Sequence, residues 1–407
     1  MKLLHANYLI TMDEREPIVR EAGILFDDRI IEIGAFDELR RHHPKAHVVR
    51  GEGVRVAFPS LINSHTHFEF VATDGGLTWG RFIDWLYSVI AQRERITKAA
   101  TPTRIKQAAR AMVATGTGTA LCVSSYGEDL RSLVQTPLRL LFAPEGLGTK
   151  PEAIEALKAD YHARIDTALA LSSRLKPLIA VHSPYAVHPE LLDELVAIAH
   201  GEGLMMTAHL LESPEERIWL DRAEGAFAKF FADFLGQTKP MMGALEFIRR
   251  FKGIKTLFVH ATQASEDELA LIAAQGGAIV HCPISNRLLG CGRLDLLALR
   301  RHHIPWMLGS DGLSSSWSLS LFEQMRAALM MHHDEEASRF AWELLEAATR
   351  TPARYMGLDG GVIRPGAVAD IAVATIAAEV EPDAVALALI TQTERVAEHY
   401  IGGVRHA

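Results

Sequence analysis

The sequence predicts an α/β fold: a (β/α)₈ TIM-type barrel carrying a small β-sandwich domain formed from both chain ends. Three observations predict it. Between about residues 57 and 350, eight brief apolar runs each end in polar residues. Stretches with helical spacing separate them, which is the alternation of a parallel barrel. Strand-like spacing with turn residues occurs before and after this region, so residues 57–360 are assigned to the barrel and 1–56 with 361–407 to the small domain.

In chain order, Leu3–Met12, Ala22–Phe26, Ile30–Ile33 and Val54–Ala57 read as short strands, separated by turn signals such as Asp27-Asp28 and Gly34. The apolar run through Val54, Val56, Phe58, Leu61 and Ile62 leads into LINSHTH (61–67), the first barrel strand. The other seven are TGTGTALCVSS (115–125), LRLLFAPEG (138–146), LKPLIAVHSPY (175–185), LMMTAHLLES (204–213), IKTLFVHATQ (254–263), GAIVHCPISN (277–286) and IPWMLGSDGLSS (304–315). Amphipathic segments such as Ala153–Leu171, Pro189–His200 and Glu266–Ala274 lie between them. GGVIRPGAVADIAVATI (360–376) returns to strand spacing and predicts that the C-terminus rejoins the N-terminal strands.

Composition narrows the function classes. With 48% hydrophobic and 23% charged residues, the chain reads as a soluble globular protein. The net charge of −8, without a long run of either sign, gives no reason to expect a nucleic-acid groove or an anionic membrane partner. No apolar run approaches the roughly 20 residues that span a bilayer, and the N-terminal stretch has acids too early for a secretory signal, so a cytoplasmic location is expected. Three cysteines without a CxxC pair support neither a disulfide frame nor a thiolate metal site. Histidine, with 19 copies, is the abundant ligand type.

The positions of the histidines carry the function. His65 and His67, His182, His209, His260, His281 and Asp311 each fall at or just past the C-terminal end of a predicted strand. In a parallel barrel those ends converge on one face. Taken singly, each has an ordinary explanation: a chance HxH, a satisfied core histidine, an aspartate capping the next helix. Together, His65, His67, His209 and Asp311 form three imidazoles and a carboxylate at strands one, five and eight, the donor set of one divalent ion with a position left for water. Zn²⁺ is expected first, with Fe²⁺ and Mn²⁺ as alternatives.

Such an ion lowers the pKa of bound water from 15.7 to about 7. Hydrolysis also needs a proton carrier, and Glu212, three residues after His209, is placed to be it; its structural alternative is an acid at the start of the helix signalled by Ser213-Pro214. His260 is expected to support the developing charge, and Asp311 to accept the water's proton as well as bind the metal. Lys176, the nearest lysine to a strand end between His67 and His209, precedes its strand, which favours one metal over a carbamate-bridged pair. His281 is expected to pack beneath the site, with support of the ligands from behind as the alternative. His5, His42, His43, His47, His302, His303, His332 and His333 are read as surface residues, as is His188 before Pro189. Trp79, Phe82 and Trp85, spaced three apart, form a helical stripe that packs in the core or lines a pocket for an aryl group. Glu69 is expected to bind a ligand hydroxyl or to make a structural salt bridge.

With these residues in place, the chain resembles the amidohydrolase superfamily, in its mononuclear aminohydrolase branch. The likeness spans nearly the full length and rests on SHTH (64–67), HLLES (209–213), LFVH (257–260), HCPISN (281–286), LGSDG (308–312) and the closing GVIRPGAVADIAV (361–373). Within that branch, HTHFEF, AVHSPYAVHPELL, CPISNRLL and DGLSSSWSLSL look like the 6-aminodeoxyfutalosine deaminases of the futalosine route to menaquinone. The resemblance implies hydrolysis at C6 of an adenine ring with loss of ammonia, Glu212 protonating the adjacent ring nitrogen, Asp311 taking the water's proton and His182 touching a small-molecule nucleoside substrate. Related enzymes act on 5′-methylthioadenosine, S-adenosylhomocysteine, adenosine or other heteroaromatic rings, and those substrates stay open here. A non-catalytic metal-binding scaffold is disfavoured, because it has no use for Glu212. A carboxylate on the futalosine-type substrate would need a basic partner that the sequence does not single out. A homodimer is left open.

Overall fold

The computed structural model describes residues 1–407 except Asp74 and Ser173. Eight parallel strands form the barrel: Leu61–Thr66, Thr117–Ser124, Arg139–Gly146, Ile179–Val181, Met206–Leu210, Thr256–His260, Ala278–His281 and Trp306–Leu308. They are named below as barrel strands one to eight. The ladder runs unbroken from strand one to strand eight, with Leu175–Pro177 added beside strand three. The seam is held by the amides of Ser310 and Asp311, which donate to the carbonyl of His65 at 3.0 and 3.1 Å. Asn63 adds to it, accepting from the amide of Ser310 and donating to its hydroxyl.

These strands read as near-continuous apolar runs because both faces are buried. One face fills the barrel with Ile62, Leu121, Val123, Leu141, Leu257, Val259, Val280 and Met307, all buried. The other packs on the helices. Fully burying one such side chain is worth about 1.5–3 kcal/mol, so the floor under the strand ends is a stiff platform. Helix starts follow local chemistry: Ser213 caps Pro214–Arg222 through the amide of Glu216, and Ser265 with Glu268 forms a capping box on Glu266–Ala274.

The termini form a second sheet of eight strands. Its order is Val404–Arg405, Glu398–Ile401, Ile371–Ile376, Val54–Pro59, Lys2–Ile10, Ile18–Phe26 and Ile30–Ala35, with His47–Val49 also paired to Lys2–Ile10. Hydrogen bonding links these strands in one continuous path joining both ends of the chain, the small β unit expected from the two termini. The apolar run from Val54 to Ile62 proves to be two strands: Val54–Pro59 pairs antiparallel with Ile371–Ile376, and after Ser60 the chain crosses into the barrel. Among the described residues no helix is long and apolar enough to cross a membrane.

Candidate active site

The C-terminal ends of the barrel strands gather the expected ligands. At the end of strand one, His65 and His67, the residue just past it, point the same way because alternate residues of extended chain share a face, and their Nε2 atoms lie 3.1 Å apart. Strand five brings His209, whose ring lies 4.9 Å from that of His65 and stacks on that of His67 at 5.5 Å between centroids. The loop after strand eight brings Asp311, with Oδ1 at 3.5 and 3.6 Å from the two Nε2 atoms. Gly309 lets this loop approach: a Cβ there would sit 2.8 Å from Cβ of His65.

Two of the four, His209 and Asp311, are oriented by bonds on their far side, whereas among the described residues Nδ1 of His65 and Nδ1 of His67 are buried without a hydrogen-bond partner. Nδ1 of His209 donates to the carbonyl of His182 at 3.1 Å, which leaves Nε2 as the free donor atom. Oδ2 of Asp311 accepts from the hydroxyls of Ser285 and Ser315, both at 2.7 Å, which turns Oδ1 toward the histidines. Burial lowers the pKa of His67, with help from His65, and drives that of His209 far down together with His65, His182 and His67. For Asp311 burial acts upward, but His65, His260 and His67 outweigh it and hold the carboxylate well below its usual range. Imidazole nitrogens and a carboxylate oxygen converging on one point are the donors a divalent cation takes, so the residues present fit the expected metal.

Glu212 and His260 gather beside Asp311. Atoms of Glu212, His260 and Asp311 all lie within 4.8 Å of one another, and Nε2 of His260 is 3.4 Å from Oε1 of Glu212. Burial raises the Glu212 pKa well above the normal carboxylate value, and the nearby Asp311 and Glu216 add to this. Its position is fixed from behind: Glu216 accepts from the amides of Leu211 and Glu212 at 2.9 and 2.8 Å, and the Thr262 hydroxyl donates to the Glu212 carbonyl. The alternative of a helix-starting acid falls away, since Ser213 is the cap and Glu212 precedes it. His260 donates from Nδ1 to Oδ1 of Asn286 at 2.8 Å, so Nε2 faces the site.

Three expectations are corrected. Among the described residues, Glu69 neither lines the cavity nor makes a salt bridge. The short turn Phe68–Phe70 directs it to backbone amides, which it accepts from Ser125 at 2.7 Å, Tyr126 at 3.0 Å and Glu128 at 3.2 Å. Trp79 precedes the helix, which begins at Phe82, because Gly80 between them has a φ of 115°. It is 42% exposed and donates to the Ser314 carbonyl, whereas Trp85, which donates to the same carbonyl, does line the cavity with Phe82. His332 is buried rather than on the surface: its Nε2 lies 3.3 Å from that of His281, which meets Asn286 through Nδ1. Thus His281, buried beneath the site, also joins a chain of contacts that reaches His260.

The cavity above these groups measures about 400 Å³. His182, His209, Glu212, His260 and Asp311 form its polar end, and Trp85, Leu86, Ile90, Leu147, Tyr185, Phe230 and Phe231 its apolar wall. Sequence reading missed Glu145, Arg93, Asn286 and Glu216. Only Glu145 had a findable signal, an acid at the end of barrel strand three.

A parallel barrel with an HxH, a third histidine, an aspartate and a buried acid at its C-terminal mouth defines a class of metal-dependent hydrolases. Residues 56–404 match the model of the Amidohydrolase family, and the chain belongs to that family. It is 38% identical over 88% of its length, and 87% of the relative's, to an aminodeoxyfutalosine deaminase of Nitratiruptor sp.. It is 30% identical to an adenosine deaminase of Helicobacter pylori, with 99% of each chain covered. The crystal structure of Helicobacter pylori aminofutalosine deaminase in complex with methylthio-coformycin superposes with a TM-score of 0.94 at 29% identity over the whole of both chains. The zinc complex of atrazine chlorohydrolase from Arthrobacter aurescens, at a TM-score of 0.81 and 19% identity, covers 100% of this chain and 95% of that one and shares the fold.

Proposed function

We propose that this protein is a metal-dependent hydrolytic deaminase of an adenine-containing nucleoside, converting 6-aminodeoxyfutalosine to futalosine and ammonia as a step toward menaquinone. The observation that carries the reading is the buried Glu212 beside Asp311 and the histidine set, in a cavity whose remaining wall is apolar. The 38% identity to an aminodeoxyfutalosine deaminase supports the substrate.

His65, His67, His209 and Asp311 would hold the ion, with Zn²⁺ favoured for a set rich in imidazole. When bound, it supplies Lewis acidity and lowers the pKa of water at the site. Asp311 accepts a proton from the attacking water, and Glu212 gives one to the ring nitrogen next to C6 as the C–O bond forms. The amino group then takes the proton from Asp311 and leaves as ammonia as the C–N bond breaks, while the remaining hydroxyl proton returns to Glu212 and the C6–O bond becomes a carbonyl. His260, fixed by Asn286, orients the attacking oxygen through Nε2. His182 meets the base from strand four.

The apolar wall suits an aryl tail, and Arg93 suits its carboxylate. Among the described residues lining the cavity, Arg93 is the one lysine or arginine. It shares the face of helix Phe82–Ala99 with Phe82, Trp85, Leu86, Val89 and Ile90, and it reaches the Tyr126 hydroxyl. At about 1.5 Å per residue, its backbone lies roughly 12 Å along the helix from Trp85.

The test is a substrate panel with metal-loaded enzyme, following ammonia release, together with elemental analysis. The expected result is zinc near one equivalent and the highest kcat/KM on 6-aminodeoxyfutalosine. Faster turnover of methylthioadenosine or adenosine would overturn the substrate assignment, and no turnover of any adenine nucleoside would overturn the deaminase.

A further inference from the structure

Glu145 is the buried acid of the cavity that the chemistry above does not use. It ends barrel strand three opposite Ala180 of strand four and is 4% exposed. Its Oε2 accepts from the Ser125 hydroxyl at 2.6 Å, whereas Oε1 is buried without a hydrogen-bond partner. The nearest ring nitrogen, Nδ1 of His209, is 3.7 Å away and already donates to the His182 carbonyl. A carboxylate oxygen left this way is costly, and such groups persist where a ligand completes them.

The surroundings are built to hold this carboxylate still. Ser125 belongs to the loop whose amides bond Glu69. The Arg164 guanidinium ties the carbonyl of Ser124, at 2.9 Å, to that of Glu145, at 3.4 Å. Barrel order then fixes which part of a ligand Glu145 meets. Glu145, His182, His209 and His260 follow one another on strands three to six, with Glu212 just past strand five. A planar base presenting its reacting edge to Glu212 and Asp311 directs its glycosidic side back toward strands three and four. The hydrogen-bond donors a nucleoside carries on that side are its sugar hydroxyls.

A second cation among Glu145, His182 and His209 is the competing use of the same cluster, since their atoms lie within 4.8 Å of one another. It fails on the proton of His209: Nδ1 bears a hydrogen for the His182 carbonyl and cannot also ligate.

We propose that Glu145 is a substrate-binding residue whose Oε1 accepts a hydrogen bond from a ribose hydroxyl, with Ser125 holding its rotamer. This rests on the nucleoside reading above. It is tested by measuring kcat/KM for wild type and Glu145→Gln on the best adenine ribonucleoside and on its 2′-deoxy and 3′-deoxy analogues, with metal content determined in parallel. The expected result is a loss of roughly 10-fold or more on the ribonucleoside, mostly in KM, shrinking to about 3-fold or less on the analogue lacking the contacted hydroxyl, with metal unchanged. Equal losses on all three substrates, or a fall in metal content, would overturn it. If wild type turned over no nucleoside, the deaminase reading would fall. Calorimetric Kd values for adenosine and its deoxy analogues would then decide the Glu145 claim: a Glu145→Gln loss confined to ligands bearing the hydroxyl sustains it, and equal losses overturn it.

Discussion

Replacing Glu212 by Gln separates proton transfer from everything else the site does. The amide keeps the shape of the carboxyl, so the contacts of its backbone with Glu216 and Thr262 stay intact. It cannot give a proton to the ring. Positioned general acid–base groups contribute typically 10²–10⁴-fold, and the two neighbours of Glu212 are poor replacements as donors: burial lowers the pKa of His260, and the surrounding histidines hold that of Asp311 well below its usual range. A kcat loss of about 10³-fold, or roughly 4 kcal/mol of transition-state stabilisation, is therefore expected. KM should change far less, and bound metal should not change. The same substitution should make the metal-free protein more stable at neutral pH. A carboxyl whose folded pKa is raised binds more protons folded than unfolded, so stability falls as pH rises from the unfolded value toward the folded one, and Gln removes that loss. Each unit of displacement is about 1.36 kcal/mol. Ammonia release, elemental analysis and a melting curve at pH 7 read all three quantities. Retained turnover, or an inactive protein that had also lost its metal, would refute the assignment of Glu212 as the proton carrier.

Two further outcomes follow from individual contacts. Arg93→Met should raise KM for a nucleoside bearing an anionic aryl tail by roughly 3- to 10-fold, modest because the guanidinium is solvent-exposed, while leaving 5′-methylthioadenosine unaffected; equal effects on both would remove Arg93 as the carboxylate partner. Asn286→Leu takes away the acceptor for Nδ1 of His260 and should lower kcat about 10- to 100-fold with little change in KM and none in metal content, whereas an unchanged kcat would show that His260 needs no such anchor.

How much of this was legible in the sequence depends on what kind of relation was being read. The barrel and the points where its strands end were visible because parallel strands announce themselves as apolar runs, and strand ends meet whatever their sequence separation. That is why His65, His67, His209 and Asp311, from distant parts of the chain, could be grouped in advance. Relations between side chains in three dimensions were not visible. Glu69 stands two residues after a ligand, yet the turn Phe68–Phe70 sends it to the amides of the next strand's loop. Glu216 is a first-turn acid of the helix that Ser213 caps, but its carboxylate also reaches back to the two amides that position Glu212.

The least legible feature is the backbone itself. Leu211, His260, Ala261 and Asp311 all have φ between 49° and 71°, a left-handed conformation that non-glycine residues adopt at a cost of order 1–3 kcal/mol each. All four lie at the ends of strands five, six and eight, next to the groups assigned to proton transfer and metal binding. In each strand the sharp turn swings a polar side chain off the strand path and over the barrel mouth. Each is held by a specific bond: Glu216 to the Leu211 amide, the Leu210 carbonyl to the Ala261 amide, the His65 carbonyl to the Asp311 amide. Two of the three anchors are backbone carbonyls, which any residue supplies and no sequence pattern marks. The chemistry was readable because it depends on residue type, whereas the strain that aims it depends on partners supplied by neighbouring strands and so becomes readable only once the barrel is closed.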